Sequence, residues 1–427
     1  MINRGHFINL LFLILFLLCV SCAGSPGTGV PASASSSEAA GGTGAQAEPA
    51  DGINQAEPDP VYARDLVFHP AEFPSLAVPP GVGLVTRDAK NLAASLSDKD
   101  KAALSDSFRT AYIDNLLRAF PLAGVLGGDM VHGWPDNNPS GWVQNWSTSE
   151  PAANSWWLPS LVLAIRGLAT QEAGGETAGN RVFVVRGKLL DQYGKSAGIN
   201  GANGNTGYGS PRGYEFLYEG KLAQRFDLGL ITVDKDGRAS FLPETPPSQA
   251  FDPPSDIGVF RSAGASGADV RLAFLAAWKM ALDRNIKTMT SDGPGQYLSF
   301  SGASFDFPGG DTVKGLYLQT FNQRTAVLIL PDSSLLPFYP RLIMAPFLDL
   351  LLGSAGTPPG AESLKALDIQ FSGADDFSRA LMKGLSLYGI PLTDPMPLKS
   401  AATPGGAGTQ TAWQLGQRFS RGWLAGS

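Results

Sequence analysis

One segment of the chain, from Asp129 to Trp157, concentrates the residue types best suited to bind a ligand. It holds five of the eight tryptophans of the chain, together with acidic and amide side chains. Indole faces stack on the apolar faces of sugar rings, and neighbouring carboxylates and amides bind hydroxyl groups. The segment predicts either a glycan-binding cleft or an aromatic core that stabilises a loop-rich region. The candidate glycan-binding residues are Asp129, His132, Trp134, Asp136, Trp142, Trp146, Trp156 and Trp157.

The same segment offers carboxylates for catalysis. Asp129 together with Asp136 or Glu150 would supply the two acidic groups of a glycoside hydrolase. These groups stand about 5 Å apart in retaining enzymes and about 6.5 to 9.5 Å apart in inverting ones, a separation that spacing along the chain does not give. An envelope glycan hydrolase is therefore the alternative to a non-catalytic binding protein.

The amino-acid composition argues against several other kinds of catalytic and binding site. The chain has three histidines and two cysteines, and only His69 and His132 lie outside the N-terminal leader described below. So few ligands argue against a metal site and against thiol or zinc-thiolate chemistry, and no G-x-S-x-G motif supports a serine hydrolase. The net charge of -6 disfavours a nucleic acid as partner. No cofactor is indicated, and the sequence favours a role other than catalysis.

The N-terminus has the pattern of an export signal. Arg4 provides a basic start, an apolar run from Ile8 to Val20 follows, and small residues come next. The apolar run has about 13 residues, whereas a helix that spans a bilayer needs about 20. Residues 1–22 are therefore predicted to be a signal peptide.

Cys19-Val20-Ser21-Cys22 resembles the lipobox of bacterial lipoproteins, in which a small residue precedes the lipidated cysteine. The resemblance implies that Cys22 carries acyl chains, such as palmitate, that anchor the protein to a membrane. Cys19 stands where the family usually has leucine, and ordinary cleavage after Ala23 is the alternative. Ala23 is not the acidic residue that retains some lipoproteins at the inner membrane. The predicted location is extracytoplasmic and membrane-anchored, at the outer membrane, in the periplasm or at the cell surface.

Residues 23–60 are rich in Gly, Ala, Ser, Pro and Glu and have few side chains large enough to pack. Such a segment cannot offset the entropy lost on ordering. We predict a disordered linker that holds the folded part about 30 to 40 Å from its anchor. Residues 61–427 are predicted to be globular and are long enough to form one large or two modest domains.

Apolar spacing predicts four helices in the globular region. They cover Ser97 to Phe120, Asp269 to Arg284, Phe338 to Leu352 and Asp375 to Leu387. Ser97 and Asp100 suit an N-terminal capping box, and Gly389 suits a left-handed cap. The third run is the most apolar, and we expect a buried core helix there.

Strand patterns lie at residues 181–186, 214–218, 222–233 and 317–330, with a hairpin turn at Asp236-Gly237. Strands and helices do not alternate regularly, so the predicted fold class is α+β, with antiparallel β-hairpins and several packed helices. No disulfides are expected, because both cysteines lie in the leader and packing alone must stabilise the exported fold.

The chain contains an internal repeat. Tyr208-Gly209-Ser210-Pro211 is followed by Gln224-Arg225-Phe226, and Tyr388-Gly389-Ile390-Pro391 is followed by Gln417-Arg418-Phe419. Gln319-Thr320-Phe321 is a weaker third copy. Gly and Pro favour a tight turn, the Gln-x-Phe strand buries its ring, and a later Gly permits close backbone approach. Each copy is predicted to be a small hairpin that packs against neighbours.

The repeat resembles the LGFP repeat family, in which a Leu-Gly-x-Pro turn precedes a strand that reads roughly Gln-x-Phe-x-x-Gly-x-Ile. Repeats of that family occur in bacterial envelope proteins and are thought to help hold them to cell-wall glycans. The similar segments are 208–233 and 388–424, with tyrosine in place of the family's leucine; two hairpins built from common turn chemistry are the alternative. The matching positions are Gly209, Pro211, Gln224, Phe226, Gly229 and Ile231, then Gly389, Pro391, Gln417, Phe419, Gly422 and Leu424.

These observations predict a lipid-anchored protein of the cell envelope that binds a cell-wall glycan or an envelope protein without catalysing a reaction. The glycan hydrolase is the alternative. A scaffold component of an envelope complex is a third possibility, for which an exposed apolar patch near Phe338 to Leu352 would be the sign.

Overall fold

The computed structural model describes part of the chain between Leu66 and Gly426. The described residues are 66–72, 75–85, 97–118, 122–125, 132–133, 141–148, 160–165, 182–195, 207–261, 268–284, 286, 288–302, 305, 313–333, 339–372, 374–399 and 413–426. The predicted signal peptide, Cys22 and the predicted linker lie outside these ranges. Helices and antiparallel sheets are both present, so the fold class is α+β, as predicted.

The strands of the described residues form four antiparallel sheets. The first sheet contains β2 Leu122–Val125, β3 His132–Gly133, β4 Gly141–Thr148, β5 Ser160–Ile165 and β6 Val182–Val185, in the order β2-β4-β5-β6 with β3 also on β4. The second contains β7 Phe216–Tyr218, β8 Lys221–Phe226, β9 Gly229–Val233 and β10 Ala239–Pro243, in the order β10-β9-β8-β7.

The third sheet contains β11 Gln296–Gly302, β12 Gly315–Phe321, β13 Ala326–Pro331, β14 Arg341–Met344 and β15 Ile369–Phe371, in the order β14-β13-β12-β11-β15. The fourth contains β16 Met396–Lys399, β17 Trp413–Phe419 and β18 Gly422–Gly426, and it is completed by β1 Leu66–Pro70 in the order β1-β18-β17-β16. The fourth sheet therefore joins residues from opposite ends of the described chain.

The described helices are α1 Asp98–Leu117, α2 Gly187–Lys195, α3 Ala268–Asp283, α4 Phe347–Leu351 and α5 Asp376–Tyr388, and local sequence explains where two of them begin. Helix α1 begins where the Ser97 hydroxyl accepts a hydrogen bond from the Asp100 N–H at 3.2 Å. Helix α5 begins where the Asp375 carboxylate accepts from the Ser378 N–H at 2.9 Å. Each side chain satisfies an N–H that the first helical turn leaves without a partner.

The helix predicted from Phe338 to Leu352 is wrong. Residues 341–344 form β14, a cis peptide bond joins Ala345 to Pro346, and only Phe347–Leu351 is helical. The run is apolar because both short elements are buried in the core, where Ile343 and Phe347 are fully enclosed. A continuously buried strand and a buried helix share this composition, so periodicity cannot separate them. Within the described part of the run only Ala345 and Asp349 are exposed, so it does not form the exposed apolar patch expected of a scaffold component.

The fold contains two equivalent halves, which the sequence analysis did not detect. The turn that begins at Pro79 and the turn that begins at Pro254 make the same bonds: the N–H of Val82 donates to the oxygen of Pro79 at 3.1 Å, and the N–H of Ile257 to that of Pro254 at 3.2 Å. Each turn then packs a positive-φ glycine, Gly83 or Gly258, against the helix that follows it, α1 or α3.

The two long helices are also equivalent. Gly83 approaches Ser105 of α1, and Gly258 approaches Arg271 of α3. Ser105 precedes Arg118 by the same number of residues as Arg271 precedes Arg284, and both arginines end their helices. The first half therefore runs through α1 and the first two sheets, and the second runs through α3 and the last two.

Candidate functional site

Three hairpins share one set of hydrogen bonds at the turn that precedes the Gln-x-Phe strand. The side chain after each phenylalanine accepts a hydrogen bond from a backbone N–H of that turn. Asp227 accepts from Ser210 at 2.8 Å, Asn322 from Thr290 at 2.8 Å, and Ser420 from Ile390 at 3.2 Å. In return, the N–H of each acceptor residue donates to the carbonyl of the same turn residue. The segment around Gln319 thus has the same local geometry as the segments around Gln224 and Gln417.

A buried glutamine in each sheet bonds to main-chain groups outside its own strand. Gln144, Gln224, Gln319 and Gln417 are all fully enclosed. The amide of Gln224 donates to the oxygens of Val184 and Gly213, both at 3.0 Å, and that of Gln417 donates to Leu342 and Thr393, both at 2.8 Å. Because Val184 lies in β6 and Leu342 in β14, each amide joins its sheet to an edge strand of the sheet before it.

The other two glutamines bond to the equivalent turns of the two halves. The amide nitrogen of Gln144 donates to the Gly81 oxygen at 2.8 Å, and its oxygen accepts from the Gly83 N–H at 3.0 Å. Gln319 repeats the pattern with Asp256 at 3.0 Å and Gly258 at 2.9 Å. Two kinds of glutamine therefore alternate along the chain, one kind bonded to a turn and the other to a strand.

The glycines of the repeat motif permit close packing that no other residue allows. Gly209 and Gly389 have φ values of 77° and 90°, and a Cβ at either would overlap the side chain of Asp227 or Ser420. Gly229 and Gly422 lie against the backbone of the adjacent strand, where a Cβ would overlap a carbonyl oxygen. Together with the buried Phe226 and Phe419, these residues are structural. The motif builds the hairpins and leaves ligand recognition to exposed positions.

The tryptophan-rich segment is described only in part. Trp146 is fully enclosed, its indole nitrogen donates to the Gln144 side-chain oxygen at 2.9 Å, and its ring meets Tyr112 edge to face at 5.3 Å between centroids. Trp146 is therefore part of an aromatic core, which was the alternative to a glycan-binding role. The backbones of His132 and Trp142 lie on neighbouring strands, β3 and β4. Asp129, Trp134, Asp136, Glu150, Trp156 and Trp157 lie outside the described residues.

A buried cluster of charged side chains joins the two halves. The Arg341 guanidinium donates to the Asp114 carboxylate at 2.6 Å, which also accepts from the Tyr214 hydroxyl at 2.8 Å. Glu215 accepts from Arg118 at 3.0 Å and from Arg186 at 2.6 Å. All of these side chains are at least nine-tenths buried. Asp114 and Arg341 belong to different halves, so their ion pair fixes the position of α1 against β14.

Electrostatics keep the charges of this cluster fixed near neutral pH. Burial alone would raise the pKa of Glu215, but Arg186 and Arg118 outweigh it and hold that pKa below its usual range. Burial lowers the pKa of Arg186 to about 10, which leaves it protonated. Burial and the neighbouring Asp114 raise the pKa of Tyr214 well above its usual range. None of these three groups exchanges protons at neutral pH, so none suits a general acid or base there.

A second buried pair occupies the equivalent place in the other half. Arg284 donates to Asp394 at 2.8 Å, as Arg118 donates to Glu215. Burial favours the neutral form of Asp394, but Arg284 and Arg341 outweigh it and lower its pKa. The Asp394 carboxylate also accepts the Leu342 N–H at 2.6 Å. Both halves therefore end their long helix in an arginine that holds a buried carboxylate.

Acid is expected to destabilise the fold through Glu215 and Asp394. Their pKa values are lower in the folded state than in the unfolded chain, so protons bind more tightly to the unfolded chain. The stabilisation is complete above pH 4.5, the ordinary pKa of a glutamate, and is lost as pH falls through the lowered folded-state values. Between pH 7 and pH 3 we expect the free energy of unfolding to fall by about 1 to 3 kcal/mol less in Glu215→Gln than in the wild-type protein. Urea unfolding midpoints between pH 7 and pH 3 measure this dependence, with the exposed Glu219→Gln as control; equal acid sensitivity of both variants would contradict the assignment.

An open hollow of about 560 Å³ lies between the turn at Gly83 and the first half of α1, lined also by Leu84, Val85, Asp98, Lys101, Ala102 and Ser105. Leu84 is 50% exposed. Asp98 and Lys101 pair with each other at 3.5 Å. Its charged groups are solvated and already paired, so they contribute little binding energy to a ligand.

In the described part of the chain, no group of three or more histidine, cysteine, aspartate or glutamate side chains is placed to hold a metal ion. Among the helices whose residues are described, none is long and apolar enough to cross a membrane. Comparison with known proteins found no matching family model and no curated relative.

Sequence reasoning missed Asp114, Arg118, Glu215 and Asp394, although one pattern pointed to the two helices that end at Arg118 and Arg284. Phe108-x-x-Ala111-Tyr112-x-x-x-Leu116-x-Arg118 recurs as Phe274-x-x-Ala277-Trp278-x-x-x-Leu282-x-Arg284. Self-comparison for apolar spacing, and not only for glycine and proline, would have found this second repeat. Gln144-Asn145-Trp146 is a further Gln-x-aromatic triplet that the tryptophan cluster obscured.

Proposed function

We propose that the protein is a lipid-anchored component of the bacterial cell envelope whose folded part binds a cell-wall glycan or an envelope protein without catalysing a reaction. The observation that carries this proposal is the recurrence of the Gly-x-Pro and Gln-x-Phe pattern with the same hydrogen bonds around Gln224 and Gln417. The pattern resembles a repeat that occurs in bacterial envelope proteins. The lipobox-like Cys19 to Cys22 and the linker composition support the anchor and the extracytoplasmic location.

The anchor is tested by metabolic labelling with a clickable fatty acid in the native host. We expect the wild-type chain to be labelled and Cys22→Ala to lose the label. Cys19→Ala is the matched control, since it removes the other cysteine of the leader and is expected to keep the label. An unlabelled wild-type chain, or equal loss in both variants, would overturn the anchor.

Glycan binding is tested by sedimentation of the full-length protein with purified cell-wall sacculi. We expect the wild-type protein to sediment with the sacculi and Trp156→Ala/Trp157→Ala to sediment at least about tenfold less, because stacked indoles supply much of the binding energy. Phe251→Ala is the control, since Phe251 is an exposed aromatic residue, 46% exposed, outside that segment. Release of soluble glycan from the sacculi would instead favour a hydrolase that uses Asp129, Asp136 or Glu150.

A further inference from the structure

Strand β1 occupies in the fourth sheet the place that β10 occupies in the second. Phe68 lies opposite Leu424 as Phe241 lies opposite Ile231, and Pro70 and Pro243 each lie opposite a motif glycine. Strand β10 is joined to β9 by a tight hairpin, in which the Gly237 N–H donates to the Asp234 oxygen at 3.0 Å. No turn joins β1 to β18, because the two strands lie at opposite ends of the described chain. Strand β10 thus pairs with β9 within one hairpin, whereas β1 makes the equivalent pairing with β18 without a turn that joins the two strands.

The place that β1 occupies is a slot shaped for this strand. On one side, β18 pairs with β1 over five residue pairs; on the other, the Pro359 oxygen accepts the Phe68 N–H at 2.8 Å. Gly360 and Gly422 lie so close to the β1 backbone that a Cβ at either would overlap a carbonyl oxygen of β1. Phe68 is 2% exposed, and its ring packs on Tyr388 at 5.7 Å. Backbone pairing and one aromatic anchor therefore define what the slot accepts.

We propose that this slot exchanges strands between molecules, so that β1 of one copy of this chain docks on β18 of a second copy. An exchanged β1 makes the same ladder and buries the same phenylalanine as the strand it replaces, so the exchange gains and loses the same contacts. The balance between closed monomers and exchanged assemblies then depends on protein concentration. The occupant is β1 itself, because the equivalent strand β10 is held in its own hairpin. This inference does not rest on the proposed function.

The ladder offers a position for a reporter disulfide. The Phe68 N–H points away from β18, so Phe68 and Leu66, two residues before it, lie at non-hydrogen-bonded positions, where facing Cβ atoms are close. Leu66 faces Gly426. A Cβ at Gly426 meets only the Leu415 oxygen, at an ordinary 3.7 Å. Cysteines at these two positions can therefore form a disulfide without displacing their neighbours.

The experiment mixes two single variants of the full chain, Leu66→Cys and Gly426→Cys, both also carrying Cys19→Ser and Cys22→Ser. The mixture is incubated at increasing concentration and oxidised, and the mixed disulfide is measured on a non-reducing gel and by light scattering. In this mixture the specific disulfide requires β1 of one molecule to lie on β18 of another. The collision control replaces Leu66→Cys by Asp236→Cys, an exposed position. We expect the mixed disulfide to exceed this control by at least about tenfold and to increase with concentration.

The double variant Leu66→Cys/Gly426→Cys tests whether β1 pairs with β18 in the expected register within one molecule. We expect it to close its disulfide within one molecule and, once oxidised, to remain monomeric at every concentration. A double variant that closes, beside single variants that cross-link only at the collision level, would overturn the exchange. A double variant that does not close would overturn it too, because the β1–β18 register on which it rests would then be absent.

Discussion

Replacing Arg341 with alanine is expected to lower the free energy of unfolding by about 3 to 5 kcal/mol, because the substitution leaves Asp114 buried without its ionic partner. Arg341 and Asp114 are 3% and 4% exposed, and their nearest atoms are 2.6 Å apart. Urea unfolding of the purified chain measures the loss. Arg238→Ala is the control, since that side chain is 81% exposed, and we expect it to change stability by no more than about 0.5 kcal/mol.

The equivalent halves supply a second variant that separates charge pairing from packing. Met280 stands four residues before Arg284 as Asp114 stands before Arg118, and Phe183 precedes Val184 as Arg341 precedes Leu342. Met280 and Phe183 belong to one buried apolar cluster. The double variant Asp114→Met/Arg341→Phe is therefore expected to regain most of the stability that Arg341→Ala loses, since buried ion pairs are often replaced by apolar pairs at little cost. A double variant no more stable than Arg341→Ala would show that the two sites are not interchangeable.

Gln417→Leu is expected to lower the free energy of unfolding by about 2 to 4 kcal/mol. Leucine keeps the apolar bulk of the side chain but leaves the carbonyls of Leu342 and Thr393 without the amide that donates to both at 2.8 Å. Each buried polar group left without a partner costs about 1 to 3 kcal/mol. Thermal unfolding measures the effect, and a midpoint lower by about 3 to 5 °C is expected for a unit of this size.

The exposed Gln249→Leu is the control for this substitution, because its side chain lies at the surface. Gln224→Leu is expected to match Gln417→Leu within about 1 kcal/mol, since both amides donate to two equivalent carbonyls. If Gln417→Leu unfolded at the same temperature as Gln249→Leu, the joining role of the buried glutamines would be wrong.

Features that depend on neighbouring residues could be predicted from the sequence. Ser97 and Asp375 begin helices because each side chain bonds to an N–H three residues later, and this pattern is visible in the sequence. The hairpin turn at Asp236-Gly237 is confirmed for the same reason, since the Asp234 carboxylate accepts the N–H groups of Asp236 and Arg238 at 2.9 and 2.8 Å.

Features that depend on residues far apart in the chain could not be predicted from the sequence. The charge of Arg341 in an apolar run did not indicate its ionic partner, because Asp114 is 227 residues away. The same holds for Glu215, whose two arginines come from the end of α1 and from the residue after β6. The Gln-x-Phe triplets were visible, but the carbonyls that their glutamines reach belong to another sheet or another turn. Tertiary contacts of this length carry no local pattern.

Because Leu66 pairs with Gly426, the two ends of the described chain are adjacent. A chain with a different order of elements could therefore form the same sheets. A short peptide joining these neighbouring residues, with a new opening between β9 and β10, would give a circular permutant that begins with β10. In that permutant β1 would follow β18 as the next strand along the chain, and β10 would become the unconnected strand that completes its sheet. Because β1 and β10 make equivalent contacts, the permuted order specifies the same set of sheets, and the two halves exchange their positions in the sequence.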